Sequence, residues 1–279
     1  MQRTLMPLGE LCAVDREELD LQDLAALEFF LREQRPRLIV NASAYTAVDR
    51  AEQEQELAFQ INERAPRAMA EMANLLRAAF IHVSTDYVFD GELGRPYVES
   101  DATHPLNTYG RSKLAGEQAI QKVDGAYFIF RTAWVYSLRG DSFVTKVLAW
   151  ARRQKTLRIV DDQISNPTWA RSLAETITIL LDRTDGDLYE FVGQNKGLYH
   201  LAGRGATSRF EWARQILADD PKQAEQLVDT ILPARTAEFP TFARRPLFSA
   251  LDCSLFETKF GISLPDWEQS SKLALEEIR

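Results

Sequence analysis

Ala79-Phe-Ile-His-Val-Ser-Thr85, followed at once by Asp86, is an apolar run of strand length that closes in hydroxyls and a carboxylate. A strand this continuously apolar is buried on both faces, which is the pattern of a parallel sheet sandwiched between helices. Working outward, strand and helix patterns alternate. Leu11–Asp15, Arg37–Asn41 and Ala126–Arg131 read as further strands. Between them, 21–34, 52–77 with a break near Pro66, 111–123 and 142–153 read as helices. The expectation is a doubly wound, Rossmann-like α/β fold. In such sheets ligands bind beyond the carboxyl ends of the strands, where Ser84, Thr85 and Asp86 would lie.

After Leu157–Val160 the character changes. Asp161-Asp-Gln-Ile-Ser-Asn-Pro-Thr168 is a polar loop, Trp169–Leu181 a helix, Gly197–Ala202 a strand, Ser208–Ala218 a helix, and a last helix starts near Asp266. Residues 1–160 are therefore read as the dinucleotide-binding domain and 161–279 as a smaller substrate lobe with a soft boundary.

Downstream of the opening strand, Tyr109-Gly-Arg-Ser-Lys113 places a phenol and an amine four residues apart. Thr103–Thr108 is a turn with Pro105 and a cap at Asn107 or Thr108, and the helix that follows carries Ala115, Ala119 and Ile120 on one side. Positions i and i+4 share a helix face, so the Lys113 ammonium would sit beside the Tyr109 phenol and favour its ionised form. That equips the pair for the proton transfer that accompanies hydride transfer. The plainer alternative makes Thr85 a hydroxyl tying off a strand and Tyr109 and Lys113 an ordinary solvated face.

Composition narrows the classes. With 279 residues, 45% of them hydrophobic, the chain can bury a substantial core. A formal charge of −8 argues against a nucleic-acid or anionic-membrane surface. Cys12 and Cys253 are too few for a disulfide framework. His82, His104 and His200 are too scattered for a zinc site or a nucleophile triad, and are read as structural. No signal-peptide pattern and no bilayer-length apolar run is present, so the default expectation is a cytoplasmic enzyme.

A dinucleotide fold should begin with a strand and a Gly-x-x-Gly-x-x-Gly type loop whose following helix receives the pyrophosphate. Gln2–Gly9 reads instead as the end of the first helix and its exit turn. The expectation is a fold lacking its N-terminal strand and glycine loop, through a misplaced start, a shortened product or a gap filled from elsewhere.

Taken together, Asn41–Glu52, Ser84-Thr-Asp-Tyr-Val-Phe-Asp-Gly91, Pro105–Lys113, Arg131-Thr-Ala-Trp-Val-Tyr136 and Asp161–Thr168 resemble, in order, the dTDP-4-dehydrorhamnose reductase family of extended short-chain dehydrogenases. The resemblance implies NADPH- or NADH-dependent reduction of the C4 ketone of dTDP-4-dehydro-L-rhamnose. It makes Tyr109 the general acid, Lys113 a ligand of the nicotinamide ribose and Thr85 a hydrogen-bond donor to the carbonyl being reduced. Val48, Asp86 and Trp134 would line the sugar pocket. Ala42, Ser43, Ala44 and Tyr45 would flank the cofactor, with Asp20 near the adenine. Asp15 suits a ribose 2′-hydroxyl and Arg16 a 2′-phosphate, which leaves the choice of cofactor open. Arg235, Arg244 and Arg245 are candidates for the substrate diphosphate. A Mg²⁺ requirement and a homodimer are compatible with the sequence but not legible in it. Phe248 stands where the family more often shows Asn. Related dehydratases resemble Thr-Asp-Glu at the strand end, whereas this chain has Thr85-Asp86-Tyr87, which favours reduction over elimination. A non-catalytic NAD(P)-binding regulatory subunit is the rival from another class.

Overall fold

The computed structural model describes residues 1–184 and 186–277. Helices α1 (Gln2–Leu5) and α2 (Leu24–Gln34) precede strand β1 (Leu38–Asn41). Helices α3 (Val48–Ala51) and α4 (Gln55–Phe59) run through a π-helical turn at Gln60–Arg64 into α5 (Ala65–Leu76). Then come β2 (Ala79–Thr85), α6 (Thr108–Val123), β3 (Tyr127–Thr132), β4 (Val135–Tyr136), α7 (Phe143–Ala151) and β5 (Thr156–Val160). Two-residue strands β6 (Ile164–Ser165) and β7 (Thr168–Trp169) lead to α8 (Ala170–Asp182), α9 (Leu188–Gln194), β8 (Gly197–His200) and β9 (Thr207–Ser208). The chain closes with α10 (Arg209–Ala218), β10 (Thr230–Ala234), α11 (Ser254–Phe260) and α12 (Trp267–Glu276).

The main sheet is parallel with order β1-β2-β3-β8. Alternate residues of its strands feed two cores. Ile81, Phe128 and Phe130 pack with α8, α9 and α11 on one face, and Phe80, Ile129 and Ile39 pack with α2, α5 and α6 on the other. Phe80, Phe128, Ile129 and Phe130 are all sealed from solvent. Each such side chain contributes about 1.5–3 kcal/mol on burial, which is why the apolar runs, rather than local propensity, decide the strands. A third core, around Trp212, Tyr136, Val147 and Trp267, forms a smaller lobe from β4, β5, β7, α7, α10 and α12.

Several elements differ from expectation. Leu11–Asp15 forms no strand, and Leu11 and Val14 are exposed. A strand exists through its partner's hydrogen bonds, and among the described residues β1 is the edge of the sheet with nothing paired outside it. Pro66 does not break a helix. It sits in the first turn of α5, where its missing N–H costs nothing, and the helical run is interrupted earlier, at 52–54, and turns π-helical at Gln60–Arg64. The split at residue 160 is also not clean: β8 joins the main sheet beside β3, while Val135–Ala151 goes to the small lobe.

Candidate active site

The carboxyl ends of β1 and β2 and the first turns of α6 meet, and two features set their closeness. Asn107 caps α6 by accepting from the Gly110 N–H at 2.8 Å. A Cβ at Gly110 would stand 2.2 Å from the Tyr87 carbonyl oxygen, and one at Gly116 would stand 2.1 Å from that of Asn62. Only glycine lets α6 lie against both. The Asn62 side chain then ties the loop after β1 to α6. Its Oδ1 accepts from the Tyr45 N–H at 2.8 Å, and its Nδ2 donates to the Tyr45 carbonyl at 3.1 Å and to Ser112 Oγ at 2.9 Å.

Thr85 ends β2 with its Oγ1 accepting from the Tyr87 N–H at 3.2 Å and donating to Asp86 Oδ1 at 3.2 Å. Burial raises the Tyr109 phenol above its ordinary value, and the neighbouring Thr85 hydroxyl opposes this. The Tyr109 ring lies edge-on to Tyr87, with centroids 5.7 Å apart. Thr85 and Tyr109 are therefore brought together as expected.

Lys113 takes its hydrogen-bond partners from β2 and not from the Tyr109 phenol. Its Nζ turns under the sheet edge, donating to the Val83 carbonyl at 2.7 Å and lying 3.0 Å from His82 Nε2. Sharing a helix face sets where the Cβ atoms point, but a buried amine goes where it finds an acceptor. Burial pushes Lys113 down to about 8, with Glu117 opposing.

Asp86 is buried and held by hydroxyls from distant segments: Ser249 Oγ donates to Oδ2 at 2.5 Å and Ser165 Oγ at 3.3 Å. Burial raises its carboxyl to about 6 against these hydrogen bonds. Trp134 takes the left-handed conformation, φ 40°, and stacks on Trp212 at 5.7 Å. Strain of this kind at a non-glycine residue costs about 1–3 kcal/mol and collects at functional sites. Over Trp134, at 3.6 Å, lies the guanidinium of Arg209, which belongs to no ion pair among the described residues and is drawn toward Tyr87 and Asp86. Sequence reading missed Arg209, Ser165 and Ser249, because nothing local ties them to Asp86. Of the three arginines it proposed for an anion, Arg245 pairs with Asp49 at 2.7 Å and its charge acts on the Tyr87 phenol. Arg235 is exposed and pairs with Asp161, and Arg244 is exposed. Val48 opens α3, which packs on α6.

The expected cofactor residues assemble separately. Asp15, Arg16, Asp20, Ala42, Ser43, Ala44 and Tyr45 all line one cleft of about 1150 Å³ along the open edge of β1. Neither Tyr109 nor Lys113 reaches its lining, and the link between the cleft and the first turns of α6 runs through Asn41, Asn62 and the loop between β1 and α3. The cleft's volume, its carboxylates and its arginines, Arg16 beside Asp15 among them, fit a dinucleotide's adenosine half. No cluster of three His, Cys, Asp or Glu side chains able to hold a metal occurs among the described residues. No described helix is long and apolar enough to cross a membrane.

Residues 1–279 match the family model described as the RmlD substrate binding domain. The dTDP-4-dehydrorhamnose reductase of Escherichia coli K12 is 39% identical, with all of this chain and 93% of that protein covered. The crystal structure of a dTDP-4-dehydrorhamnose reductase from Clostridium acetobutylicum superposes with a TM-score of 0.89 at 31% identity, covering 99% of this chain and 94% of that one. The Bacillus anthracis dTDP-4-dehydrorhamnose reductase solved in complex with NADP gives 0.85 at 30% identity, covering 99% and 94%.

Proposed function

This chain belongs to the RmlD, dTDP-4-dehydrorhamnose reductase, family, and from that premise we propose that it reduces the C4 ketone of dTDP-4-dehydro-L-rhamnose to dTDP-L-rhamnose with NAD(P)H. The observation that carries the reading is the meeting of Thr85, at the carboxyl end of β2, with Tyr109, in the first turn of α6, which Asn62 ties to the loop that leads into the cleft. The bound dihydronicotinamide supplies the hydride. Tyr109 donates its proton to the oxygen as charge develops there, and its raised proton affinity keeps it protonated at neutral pH until that moment. Thr85, whose oxygen is fixed by the Tyr87 N–H, turns its one hydroxyl hydrogen from Asp86 Oδ1 to the same oxygen and meets the charge there. Trp134 offers an apolar wall to the sugar, and Arg209 and Arg245 supply local positive charge for the diphosphate despite the acidic chain. Tyr87, a buried phenol, supplies no carboxylate base for elimination.

The cleft also bears on the cofactor. Asp15 Oδ1 is occupied by the N–H groups of Glu17 and Glu18, at 2.8 and 3.3 Å, whereas Arg16 lines the cleft without an ion pair among the described residues. That arrangement favours a 2′-phosphate, and we assign NADPH as the preferred donor. The reaction is placed in the cytoplasm.

The test is Tyr109→Phe, followed as NADPH oxidation in the presence of the keto sugar. The rate should fall about 10²- to 10⁴-fold with dinucleotide binding retained. Turnover near that of the parent protein would remove Tyr109 from the role of acid.

A further inference from the structure

Trp134 lies between β3 and β4 with its backbone in the left-handed region, φ 40°. A bulky residue enters that region at a cost, so its surroundings must hold it there. The main chain gives little help. The Trp134 carbonyl accepts from the Thr168 N–H at 3.3 Å, beyond the usual range, and the next residue, Val135, is 47% exposed. The hold falls to the packing of the indole.

Two groups pack on that ring. Arg209 Cζ stands 3.6 Å from its centre, and Trp212 stacks on it at 5.7 Å with 11° between the planes. Arg209 Cζ is 5.5 Å from the centre of Trp212. On opposite faces of Trp134 the two would stand further from each other than either does from Trp134, so they back the same face. At 3.6 Å an N–H turned toward the indole would clash with it, so the guanidinium lies flat. Its N–H groups then run along the ring plane, and its side chain has no hydrogen bond or ion pair among the described residues. Burial lowers it to about 10, with Tyr87 and Asp86 opposing, so it is a cation at neutral pH.

The placement of Arg209 is otherwise unfavourable. It is the first residue of α10, where the helix dipole repels a cation. Its backbone is fixed there: the N–H donates to the Gln163 carbonyl at 3.2 Å, and Ser208 caps the helix by accepting from the Glu211 N–H at 3.0 Å. What accommodates the charge is aromatic, namely Trp134, Phe143 at 4.7 Å, and Trp212 one turn along the same helix face.

We infer that Arg209 is the positioning residue for Trp134: its flat face holds the indole in the left-handed conformation, and its free N–H edge meets the phosphate joined to the sugar that the indole faces. The unit read by the pair is a sugar 1-phosphate, in preference to a free diphosphate. That ligand class rests on the reading of Trp134 as the sugar wall proposed above, whereas the hold on the indole does not.

The first measurement needs no ligand. Circular dichroism of the full chain reads the stacked Trp134 and Trp212 as an exciton couplet, and its loss in Trp134→Phe assigns it. Arg209→Met and Arg209→Lys should both lose the couplet while NADPH binding is kept, because an ammonium carries the charge without the flat face. A parent spectrum with no Trp134-dependent couplet, or a couplet that survives in both variants, overturns the inference. If Arg209→Met does not fold, Arg209→Lys decides. The second measurement is calorimetric titration with dTDP-L-rhamnose and with dTDP. Arg209→Lys should bind dTDP within about threefold of the parent but lose about tenfold of the advantage that the sugar confers, and should lose no more of it in a Trp134→Leu background. Full rescue by lysine would make Arg209 a charge for the diphosphate alone and overturn the inference. If the parent binds neither nucleotide, the substrate reading fails and the couplet alone decides the hold on Trp134.

Discussion

Replacing Ser249 by alanine should cost stability in a way that depends on pH, and the structure gives both size and sign. The Ser249 hydroxyl donates to Asp86 Oδ2 at 2.5 Å, and the carboxyl is buried with a proton affinity already raised to about 6 by that burial. A hydrogen bond to a charged group is worth about 1.5–3 kcal/mol, which at 1.36 kcal/mol per unit would carry the carboxyl upward by about 1–2 further units in the variant. The folded value lies above that of an unfolded aspartate, so the charged form is the one that folding disfavours. The associated stability is present at low pH and is lost as pH rises through the folded value. Relative to the parent, Ser249→Ala should therefore be destabilised by about 1.5–3 kcal/mol at pH 8, where the carboxylate must be charged without its donor. The deficit should shrink to a few tenths of a kcal/mol at pH 5, where both proteins carry the neutral acid. Urea unfolding of parent and variant at the two pH values measures it. A deficit of equal size at pH 5 and pH 8 would show that the loss comes from packing and that Asp86 is not charged at neutral pH in this pocket.

Arg131→Ala should be among the most damaging single changes away from the core, by about 3–5 kcal/mol, because it strands Glu117 as a buried unpaired charge. The double replacement Arg131→Met with Glu117→Leu should recover most of that in the same denaturation assay, and failure to recover would mean that the pair is needed for more than mutual neutralisation. Arg16→Ala should raise the Kd for NADPH by tenfold or more, the order of one charge-assisted hydrogen bond, with little change for NADH in a fluorescence titration. Equal losses for the two dinucleotides would defeat the 2′-phosphate assignment.

What was legible in the sequence was whatever depends on a short stretch meeting water or a core. The run Ala79–Thr85 had to be a buried strand because no residue in its apolar part tolerates solvent, and the hydroxyl end had to lie at the ligand side of the sheet. Asn107 was legible as a cap because an N-cap acts within three residues of itself. Leu11–Asp15 was misread because its alternation says only that it suits a strand, and whether it becomes one depends on a partner at the edge of β1. The hydroxyls on Asp86 were invisible for a related reason: Ser165 and Ser249 are 79 and 163 residues away.

Lys113 shows the limit most sharply. Helix spacing correctly put its Cβ on the face of Tyr109, yet the nitrogen ends four bonds further on, and a buried amine is directed by acceptors. The Val83 carbonyl at 2.7 Å and the His82 ring at 3.0 Å both lie beneath the strand end, whereas the Tyr109 phenol faces Thr85. The distance from pattern to chemistry is thus the length of a side chain. For Thr85, whose hydroxyl is fixed one bond from its Cβ, that distance is negligible and pattern sufficed. For Lys113 and Arg209 it is long enough that tertiary partners decide, and only coordinates reveal which groups the charges serve.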